Sequence, residues 1–559
     1  MNRHESYIKD FISLNFGTIH LKPGNGPLSL MSYNLLKPND LDIKLVTLRR
    51  IINLKTMKNL LTLFLVFSTF IAFSQKPNII FIFSDDHTSQ AISAYGSKIA
   101  KTPNIDRIAK AGAILYNNVV TNSICGPSRA TLLTGKFSHM NGYKVNEKVF
   151  NIDQPVFPEA LQKNGYQTAW VGKMHLGALP HGFDFLNVLP GQGFYYNPDF
   201  INKNNEKIQY EGYVSNLITK FSKEWLEQRD QSKPFFMVVG HKATHREWFP
   251  DIQDLGSYDD VTFPIPDNFY DNYEGRPAAR DQDMTVDKTM VLGTDLKVNA
   301  NFNNPTYKRF TPAQKAAFYE YYQNKVTKEF EEKHLTGKAL VEWKYQRYMR
   351  DYLSTARSLD RNIGELLDYL DKTGLSKNTV VIYASDQGFY MGEHGWFDKR
   401  FIYEESLKTP FVIKYPGKIK PGTKVQQVVS NVDWAPTVLD IAGVKPTEGM
   451  QGKSFYPLLE NPKKSWDNKS YYHYYEYPQP HSVAPHFGLR TDQYTLAKFY
   501  GPQDSWELYD IKKDPKNMKN LYGDKAYAGV IKKLKSELKA KMIEYKDTEA
   551  LELFNKDAK

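Results

Sequence analysis

The sequence predicts an α/β protein with a large mixed central sheet between layers of helices, followed by a smaller C-terminal antiparallel sheet and helix. The first observation is a set of continuous apolar runs of strand length, which are typical of a sheet that is covered on both faces. These runs lie at 77–86, 167–175, 233–245 and 378–388. The second observation is the region 311–371, where apolar residues at three-to-four spacing predict helices.

The C-terminal part changes character from about residue 451. Short alternating segments between residues 471 and 511 predict antiparallel strands, and 530–545 predicts a basic helix. A chain of 559 residues is long enough for more than one core. We therefore expect a main α/β domain over 75–450 and a C-terminal α+β subdomain over 451–559.

The N-terminal part predicts an exported protein. Residues 1–56 lack sustained periodicity and precede a second methionine, Met57, so we interpret them as an extension of the gene model. Lys58 and a mostly apolar run from residue 60 to 73 predict a secretory signal peptide over 57–74. This run is too short for a comfortable membrane span. We expect a periplasmic or secreted protein without a stable membrane span.

The charge of the chain suits a polyanionic partner. Lys and Arg number 73 against 62 Asp and Glu, which gives a formal net charge of +11. Nucleic acid, a sulfated polysaccharide and a generally lysine-rich surface are all compatible with this balance. The basic residues are spread out and form no recognisable nucleic-acid module, so we expect no nucleic-acid partner.

Ionisable side chains follow each of the four apolar runs. In open α/β sheets, functional residues gather at the carboxyl ends of the strands. A single such residue is commonly structural, and an Asp pair can also serve as a turn or a helix cap. All four runs together predict one site along one edge of the sheet, built from Asp85, Asp86, Lys173, His175, His241, Lys242, His245, Asp386 and Gln387.

The stretch SICGPSRATLLTG contains Cys125, the only cysteine of the chain. Pro127 suits the first turn of a helix and Gly135 suits its C-terminal cap. We therefore expect Cys125 at a helix N-terminus, which attracts anions, with Arg129 on the same helix face. If Cys125 remained a thiol, these neighbours would be expected to lower its pKa. The alternative is a buried structural cysteine.

The pattern C-x-P-S-R-x-x-x-L-T-G, from Cys125 to Gly135, resembles the maturation signature of the type I sulfatases, members of the alkaline-phosphatase-like superfamily. The resemblance extends from about Asn78 to about Leu521. It implies an alkaline-phosphatase-like fold and a sulfatase catalytic domain over 75–450. It also implies that a formylglycine-generating maturation enzyme oxidises Cys125 to formylglycine (3-oxoalanine).

The acidic residues of the predicted site favour calcium. Carboxylate and amide oxygens suit a hard cation, whereas zinc would call for His or Cys. A thiolate would be an awkward neighbour for such an ion, so an oxygen nucleophile derived from Cys125 fits better. One Ca²⁺ is expected, with ligands from Asp85, Asp86, Asp386, Gln387 and modified Cys125. Relatives commonly have Asn or His in place of Gln387.

The resemblance also implies a role for each catalytic residue. One oxygen of the hydrated aldehyde at position 125 would attack sulfur, while calcium and three cationic side chains neutralise the sulfate: Arg129, Lys173 and Lys399. His245 would protonate the leaving alcohol. His175 would then help to remove a proton from the second hydroxyl as the aldehyde is regenerated.

The expected substrate is a sulfated poly- or oligosaccharide. We expect an algal polysaccharide such as ulvan, with a glycosaminoglycan-type sulfated amino sugar as the alternative. Two further alternatives are a phosphonate or phosphodiester hydrolase on the same fold, and a carbohydrate-binding protein whose Cys125 is never oxidised. The segment 251–305, rich in Asp, Asn, Pro and Gly, is a candidate substrate wall. Candidate substrate-binding side chains are His394, Arg400, His481, His486 and Arg490.

Overall fold

The central sheet has ten strands in the order β10-β2-β9-β8-β1-β7-β3-β4-β5-β6. The structure is a computed structural model that describes residues 76–146 and 148–557. The strands are β1 Asn78–Ser84, β2 Ala113–Val119, β3 Gln167–Lys173, β4 Phe185–Leu189, β5 Asp199–Asn202, β6 Lys207–Gln209, β7 Phe235–Gly240, β8 Thr379–Ser385, β9 Phe411–Lys414 and β10 Thr423–Ser430.

Four neighbouring strands, β8, β1, β7 and β3, run parallel. Their register aligns Ser84 with Ser385 and Phe83 with Gly240, while Gly172 pairs with Gly240. All residues of β1, β7 and β8 are buried, as expected for strands covered on both faces. The prediction of four apolar strands is confirmed, and their carboxyl ends meet at one edge. The sheet is mixed, because β9 pairs antiparallel with both β2 and β8.

Helices cover both faces of this sheet. Among the described residues they are α1 Pro103–Ala111, α2 Cys125–Thr134, α3 Ser138–Asn141, α4 Phe157–Lys163, α5 Val214–Gln228, α6 Pro277–Asp281, α7 Pro305–Lys308, α8 Pro312–Phe318, α9 Lys328–Glu332, α10 Gly337–Lys372, α11 Glu404–Leu407, α12 Trp434–Ile441 and α13 Tyr456–Glu460. Residues of α1, α5 and α10 share one apolar core, and residues of α2, α4 and α12 share a second core. β1 contributes to both, because alternate side chains point to opposite faces.

The predicted helical region 311–371 is confirmed. Thr311 and Gln314 form a capping box that starts α8, with Pro312 in the first turn. A π-helical segment, Tyr319–Thr327, joins α8 to α9. The 36-residue α10 then runs along the sheet, with its inward face buried.

The segment 428–444 begins as a strand and continues as a helix. Val428–Ser430 still pair in parallel with Asn117–Val119 and form the end of β10. A short turn follows, in which the Asp433 carboxylate accepts the backbone N–H of Ser430 at 2.9 Å. Only then does α12 begin, because backbone pairing with β2 keeps the preceding residues extended.

The smaller sheet is antiparallel, as predicted, and has four strands: β11 Lys469–Tyr474, β12 His486–Thr491, β13 Tyr494–Phe499 and β14 Ser505–Asp510. Two helices follow, α14 Ala528–Tyr545 and α15 Thr548–Asp557. Leu534, Leu538 and Met542 of α14 pack with residues of this sheet. The other face of the small sheet packs against residues 396–407 of the main domain.

Residues 1–56 and the predicted signal peptide 57–74 lie outside the described part of the chain. Within 76–146 and 148–557, every helix is too short or too polar to cross a bilayer.

A buried ion pair joins the small sheet to the main domain. Arg490 on β12 contacts both carboxylate oxygens of Glu404, at 3.1 and 3.0 Å, and Lys408 lies 2.7 Å from Glu404. Burial by itself would raise the pKa of Glu404, but Arg490 and Lys408 hold it at about 2. The ionised pair therefore stabilises the fold above the ordinary glutamate pKa and loses its effect as the pH falls towards 2.

Replacing this glutamate, Glu404→Gln, should lower the free energy of unfolding at pH 7 by about 3 kcal/mol, because Arg490 keeps its burial and loses its charge partner. Urea denaturation between pH 7 and pH 3 measures the difference, which should shrink as the pH falls. The exposed pair Lys220–Glu224 offers a control, since Glu224→Gln should cost about 0.5 kcal/mol or less. Equal losses for the two variants would contradict the interpretation.

Candidate active site

The carboxyl ends of the parallel strands bring acidic side chains together. Asp85 and Asp86 follow β1, and Asp386 follows β8, its paired neighbour. One carboxylate oxygen from each lies within 4.8 Å of the others, and all three side chains are buried. We call these three residues the carboxylate cluster. The predicted convergence of Asp85, Asp86 and Asp386 is thus present in the structure.

Cys125 is the first residue of α2, as the sequence predicted. Ile124 before it is extended, and Gly135 caps the other end with a φ of 61°, in the left-handed region that favours glycine. Arg129, one turn along the helix, donates to Asp386 at 3.1 and 2.8 Å and to the Lys173 carbonyl at 2.9 Å. The helix therefore presents a cysteine and an arginine to the carboxylate cluster.

Two further cations pair with the cluster. The Lys173 ammonium, at the end of β3, contacts Asp85, and the Lys399 ammonium lies 2.8 Å from Asp86. Gln192, in the loop after β4, accepts a hydrogen bond from Lys173. Sequence reasoning missed Gln192, because it lies in a loop without a recognisable pattern. Each carboxylate of the cluster thus has a cationic partner of its own.

The cluster retains oxygens without donors. Oδ1 of Asp85 and Oε1 of Gln387 are buried and lack a hydrogen-bond partner within 76–146 and 148–557. Gln387 Nε2 donates to Asp86, which leaves its oxygen free to face a cation. Buried oxygens of this kind are costly unless a donor or a cation satisfies them. The set of carboxylate and amide oxygens fits a hard divalent cation.

The pKa values of the three carboxylates reflect their burial and their closeness to one another. Burial, together with neighbouring Asp85, raises the pKa of Asp386 to about 8. Burial also raises the pKa of Asp86 to about 6, although Lys399 opposes the shift. Burial opposes ionisation of Asp85 too, but Lys173, His245 and Arg129 hold its pKa well below the ordinary value. Without a cation, the cluster therefore does not carry its full negative charge at neutral pH.

The thiol of Cys125 differs from the sequence expectation. Burial, followed by the charge of Asp85, raises its pKa well above the ordinary value, although Lys399 and Lys173 oppose the shift. The expectation of a lowered thiol pKa is wrong, because the helix N-terminus and Arg129 do not compensate for full burial beside carboxylates. An unmodified Cys125 is therefore a neutral thiol and a poor nucleophile.

Two histidines border the cluster. A ring nitrogen of His245 lies within 4.8 Å of a carboxylate oxygen of Asp85 and of the Cys125 Sγ. Its Nδ1 donates to the Arg246 carbonyl at 2.5 Å, so in the neutral ring Nε2 is an acceptor. Burial, followed by the charge of Lys173, lowers the pKa of both His175 and His245 well below the ordinary value. Both rings are neutral at pH 7 without substrate.

A second polar group adjoins Lys399. Asp398 lies 3.4 Å from Nε of Arg400 and 3.3 Å from Nε2 of His481, and Arg400 also pairs with Glu476. The backbone N–H of Asn146 donates to Glu476 at 3.2 Å, while its Oδ1 accepts the N–H of Gly126 at 2.9 Å. We call Asp398, Arg400, Glu476 and His481 the charged wall. The sequence identified Arg400 and His481 but missed Asp398, Glu476 and Asn146.

Three other candidates have partners outside both groups. Nδ1 of His394 contacts Asp271 at 2.6 Å, and Nε2 of His486 accepts the N–H of Ile402 at 3.1 Å. Arg490 pairs with Glu404, as described above. None of these partners belongs to the carboxylate cluster or to the charged wall. The structure thus brings Arg400 and His481 to the site and holds His394, His486 and Arg490 in protein contacts elsewhere.

The long segment 251–305 borders the charged wall. Asp283 lies 3.3 Å from Nδ1 of His481, and Asp295 accepts from Arg246 at 2.6 and 2.7 Å. Its position beside His481 is compatible with the expected substrate wall.

The fold and this site define the class of protein. A mixed sheet covered by helices, with acidic and cationic residues at the strand ends, is the alkaline-phosphatase-like arrangement, and it confirms the predicted fold. The family model described as "Sulfatase" matches residues 77–444. A second model, described as "N-sulphoglucosamine sulphohydrolase, C-terminal", matches residues 392–544. The chain belongs to the sulfatase family.

Known relatives agree with this assignment. An N-acetylglucosamine-6-O-sulfatase of Bacteroides thetaiotaomicron is 46% identical over 492 residues, which cover 85% of this chain and 88% of that protein. An ulvan-active sulfatase of Formosa agariphila is 26% identical over 489 residues, which cover 84% of this chain and 82% of that protein. A solved structure in complex with its substrate D-glucosamine-2-N,6-O-disulfate superposes on this chain with a TM-score of 0.82 and is 46% identical in sequence. It covers 85% of this chain and 99% of the solved chain.

If the carboxylate cluster binds calcium, then calcium at about a hundred times its dissociation constant should raise the free energy of unfolding by about 2.7 kcal/mol. Asp386→Asn should remove most of this increase, because the cluster would lose one of its three carboxylates. Differential scanning calorimetry with calcium or a chelator measures the shift. Asp433→Asn is the matched control, a buried carboxyl that hydrogen-bonds to Ser430 outside the cluster and should leave the calcium response intact. An equal calcium response in wild type and Asp386→Asn would contradict the proposed metal site.

Proposed function

We propose that this protein hydrolyses a sulfate ester on a glycosaminoglycan-type amino sugar, specifically a 6-O-sulfate of a glucosamine unit. The observation that carries the proposal is the carboxylate cluster, with its free oxygens and paired cations, at the N-terminus of the helix that begins with Cys125. This arrangement provides cationic groups for a sulfate and oxygen ligands for a hard cation.

The amino-sugar substrate is preferred over the expected ulvan. The relative named an N-acetylglucosamine-6-O-sulfatase is 46% identical to this chain, whereas the ulvan-active relative is 26% identical. The solved structure at 46% identity holds a glucosamine that carries N- and 6-O-sulfates. These likenesses support the amino-sugar alternative stated from the sequence.

Two groups that the family implies fit the residues of the site. Asp85, Asp86, Asp386 and Gln387 would hold one Ca²⁺, which supplies positive charge to the sulfate when bound. Cys125 in its formylglycine form would supply an oxygen nucleophile in place of a neutral thiol. The maturation enzyme that makes this modification, and the export implied by the predicted signal peptide, belong to the same proposal.

The protein's own side chains would bind and orient the sulfate. Arg129, Lys173 and Lys399 each pair with one carboxylate of the cluster and would hold the sulfate oxygens beside position 125. They would neutralise the charge that develops as the ester bond breaks, and such fixed charges are effective where water is excluded. Their carboxylate pairs fix their positions before substrate arrives.

The histidines would move the protons. His245 is neutral in the free protein, and the negative charge of a bound sulfate would raise its pKa and favour a proton on Nε2. A proton at that nitrogen could pass to the leaving alcohol oxygen. The Nδ1 hydrogen bond to the Arg246 carbonyl fixes the ring for this transfer. His175, also neutral, would accept the proton released when the modified residue is regenerated.

The charged wall would bind the sugar. Its carboxylates would accept hydrogen bonds from sugar hydroxyls, and the guanidinium of Arg400 would donate to hydroxyl oxygens. Asp398 directly precedes Lys399, so one short loop holds both a sulfate contact and a sugar contact. This adjacency supports a sugar-binding role for the wall.

Replacing the nucleophile precursor, Cys125→Ala, should lower kcat by several orders of magnitude while leaving thermal unfolding nearly unchanged. Intact-peptide mass spectrometry over residues 123–136 should show the aldehyde in protein from a host with the maturation enzyme. Protein from a host without it should carry the thiol and be inactive. Full activity of the unmodified thiol form would contradict the assigned nucleophile.

A panel of defined esters tests the substrate. N-acetylglucosamine 6-sulfate and glucosamine N,6-disulfate should exceed the matching 3-sulfate by about a hundredfold or more in kcat/KM, because the wall fixes the ring position. Faster turnover of ulvan oligosaccharides would reject the amino sugar. Faster turnover of phosphodiesters or phosphonates would reject the sulfatase reaction, and binding without turnover of modified protein would favour a carbohydrate-binding protein.

The charged wall should act mainly on substrate binding. His481→Gln and Arg400→Lys should each lower kcat/KM about tenfold through a higher KM, because they weaken hydroxyl contacts in the ground state and transition state alike. Steady-state kinetics on the 6-sulfated amino sugar separates KM from kcat. His394→Gln and His486→Gln serve as controls, with KM within about twofold of wild type. A lower kcat with unchanged KM would place the wall in the chemical step.

A further inference from the structure

Lys242 lies beside the carboxylate cluster but has no part in the proposed metal site, sulfate binding or proton transfer. It follows β7 by two residues and belongs to the segment that ends at His245. Its side chain is 5% exposed, and Nζ lies 4.9 Å from the centroid of the Tyr195 ring. The hydroxyl of the same tyrosine donates to the His245 carbonyl at 2.5 Å. Lys242 and His245 therefore lie on the same side of the site, in contact with Tyr195.

The ammonium of Lys242 has no carboxylate within ion-pair distance among the described residues, although the charges of Asp85, Glu247 and Asp86 oppose the lowering of its pKa from farther away. Across residues 76–146 and 148–557 it forms no hydrogen bond or ion pair, and the aromatic face of Tyr195 is its contact. Burial, followed by the charge of Lys173, lowers its pKa to about 8, so the group remains mostly charged at neutral pH. A mostly buried side chain with an ammonium outside any ion pair is costly, and a cation–π contact offsets only part of that cost.

The other cations of the site are paired one to one. Arg129 pairs with Asp386, Lys173 with Asp85 and Lys399 with Asp86. These three also surround the place where the reacting sulfate would lie. Lys242 is thus a positive charge in excess of these three ion pairs, and a bound divalent cation would add to the excess. A substrate with a single negative charge would leave it uncompensated.

We propose that Lys242 binds a second anionic group on the sugar that carries the reacting sulfate, and so makes the site selective for a doubly charged sugar unit. The inference rests on the proposed function. The shared chemistry is an anion attached to the same ring, either an N-sulfate or a second O-sulfate. Lys242 would contact this group and not the reacting sulfur, and it is therefore a specificity-determining residue.

Two matched substrates test the proposal: glucosamine N,6-disulfate and N-acetylglucosamine 6-sulfate, which differ in the group on nitrogen. Lys242→Met keeps the length and apolar contacts of the side chain and removes the charge. The ratio of kcat/KM for the disulfate over the monosulfate should fall tenfold or more, which corresponds to about 1.4 kcal/mol. Lys242→Arg should restore most of the ratio. A glucosamine 3,6-di-O-sulfate arm distinguishes an N-linked second anion from an O-linked one.

Lys233, exposed and just before β7, supplies the control. Lys233→Met should leave the substrate ratio unchanged. The unfolding midpoint of Lys242→Met should equal or exceed that of wild type, because an unpaired buried charge has been removed. A lower midpoint combined with an unchanged ratio would show a structural role and overturn the proposal. An equal fall in kcat/KM on all substrates would place Lys242 on the reacting sulfate and overturn it as well.

Binding to a Cys125→Ala background separates the two proposals. Isothermal titration calorimetry of the same sugars, with and without Lys242→Met, gives the affinity ratio without turnover. Turnover of the amino sugars by wild type with no change in either ratio would overturn the role of Lys242 alone. Failure of wild type to bind or hydrolyse any of these amino sugars would overturn both this inference and the proposed function.

Discussion

Confinement of three carboxylates within a few ångströms of one another is the constraint on which the site depends. Asp85, Asp86 and Asp386 are buried at the edge of a parallel sheet, where their mutual repulsion and loss of hydration oppose ionisation. Arg129, Lys173 and Lys399 each offset one of these charges. The donor-free oxygens that remain make the cluster complementary to a cation. In the proposed function, the cations that pair with the carboxylates would also bind the sulfate, so acidic residues would hold an anion-binding site in place.

A small number of structural elements positions these residues. Parallel pairing of β8 with β1 places Asp386 beside Asp85 and Asp86, and the start of α2 presents Cys125 from the adjacent layer. Arg129 ties the two layers together, since one guanidinium contacts Asp386 and the Lys173 carbonyl. Full burial then keeps the Cys125 thiol neutral. The same environment that suits a metal and a sulfate makes an unmodified cysteine a poor nucleophile.

Much of the candidate site could be predicted from the sequence, because its residues follow strands that are continuous apolar runs. Asp85, Lys173 and Asp386 were identified in this way. Gln192, Asp398 and Glu476 were not, because they lie in loops or after a distant strand and acquire their positions only through long-range contacts. The same limit applies to His394, His486 and Arg490. Their residue types suit sugar binding, but packing gives them protein partners.

The sequence by itself determined the local features: which runs become buried strands, where α2 begins and ends, and which ionisable residues stand at the strand ends. These follow from periodicity, from Pro127 and Gly135, and from the signature around Cys125. Tertiary structure decided how charges are paired and which remain unpaired. Arg129, Lys173 and Lys399 each form an ion pair with a carboxylate, whereas Lys242 contacts an aromatic ring. Pairing of this kind depends on distances of a few ångströms between residues remote in sequence, and no local pattern encodes them.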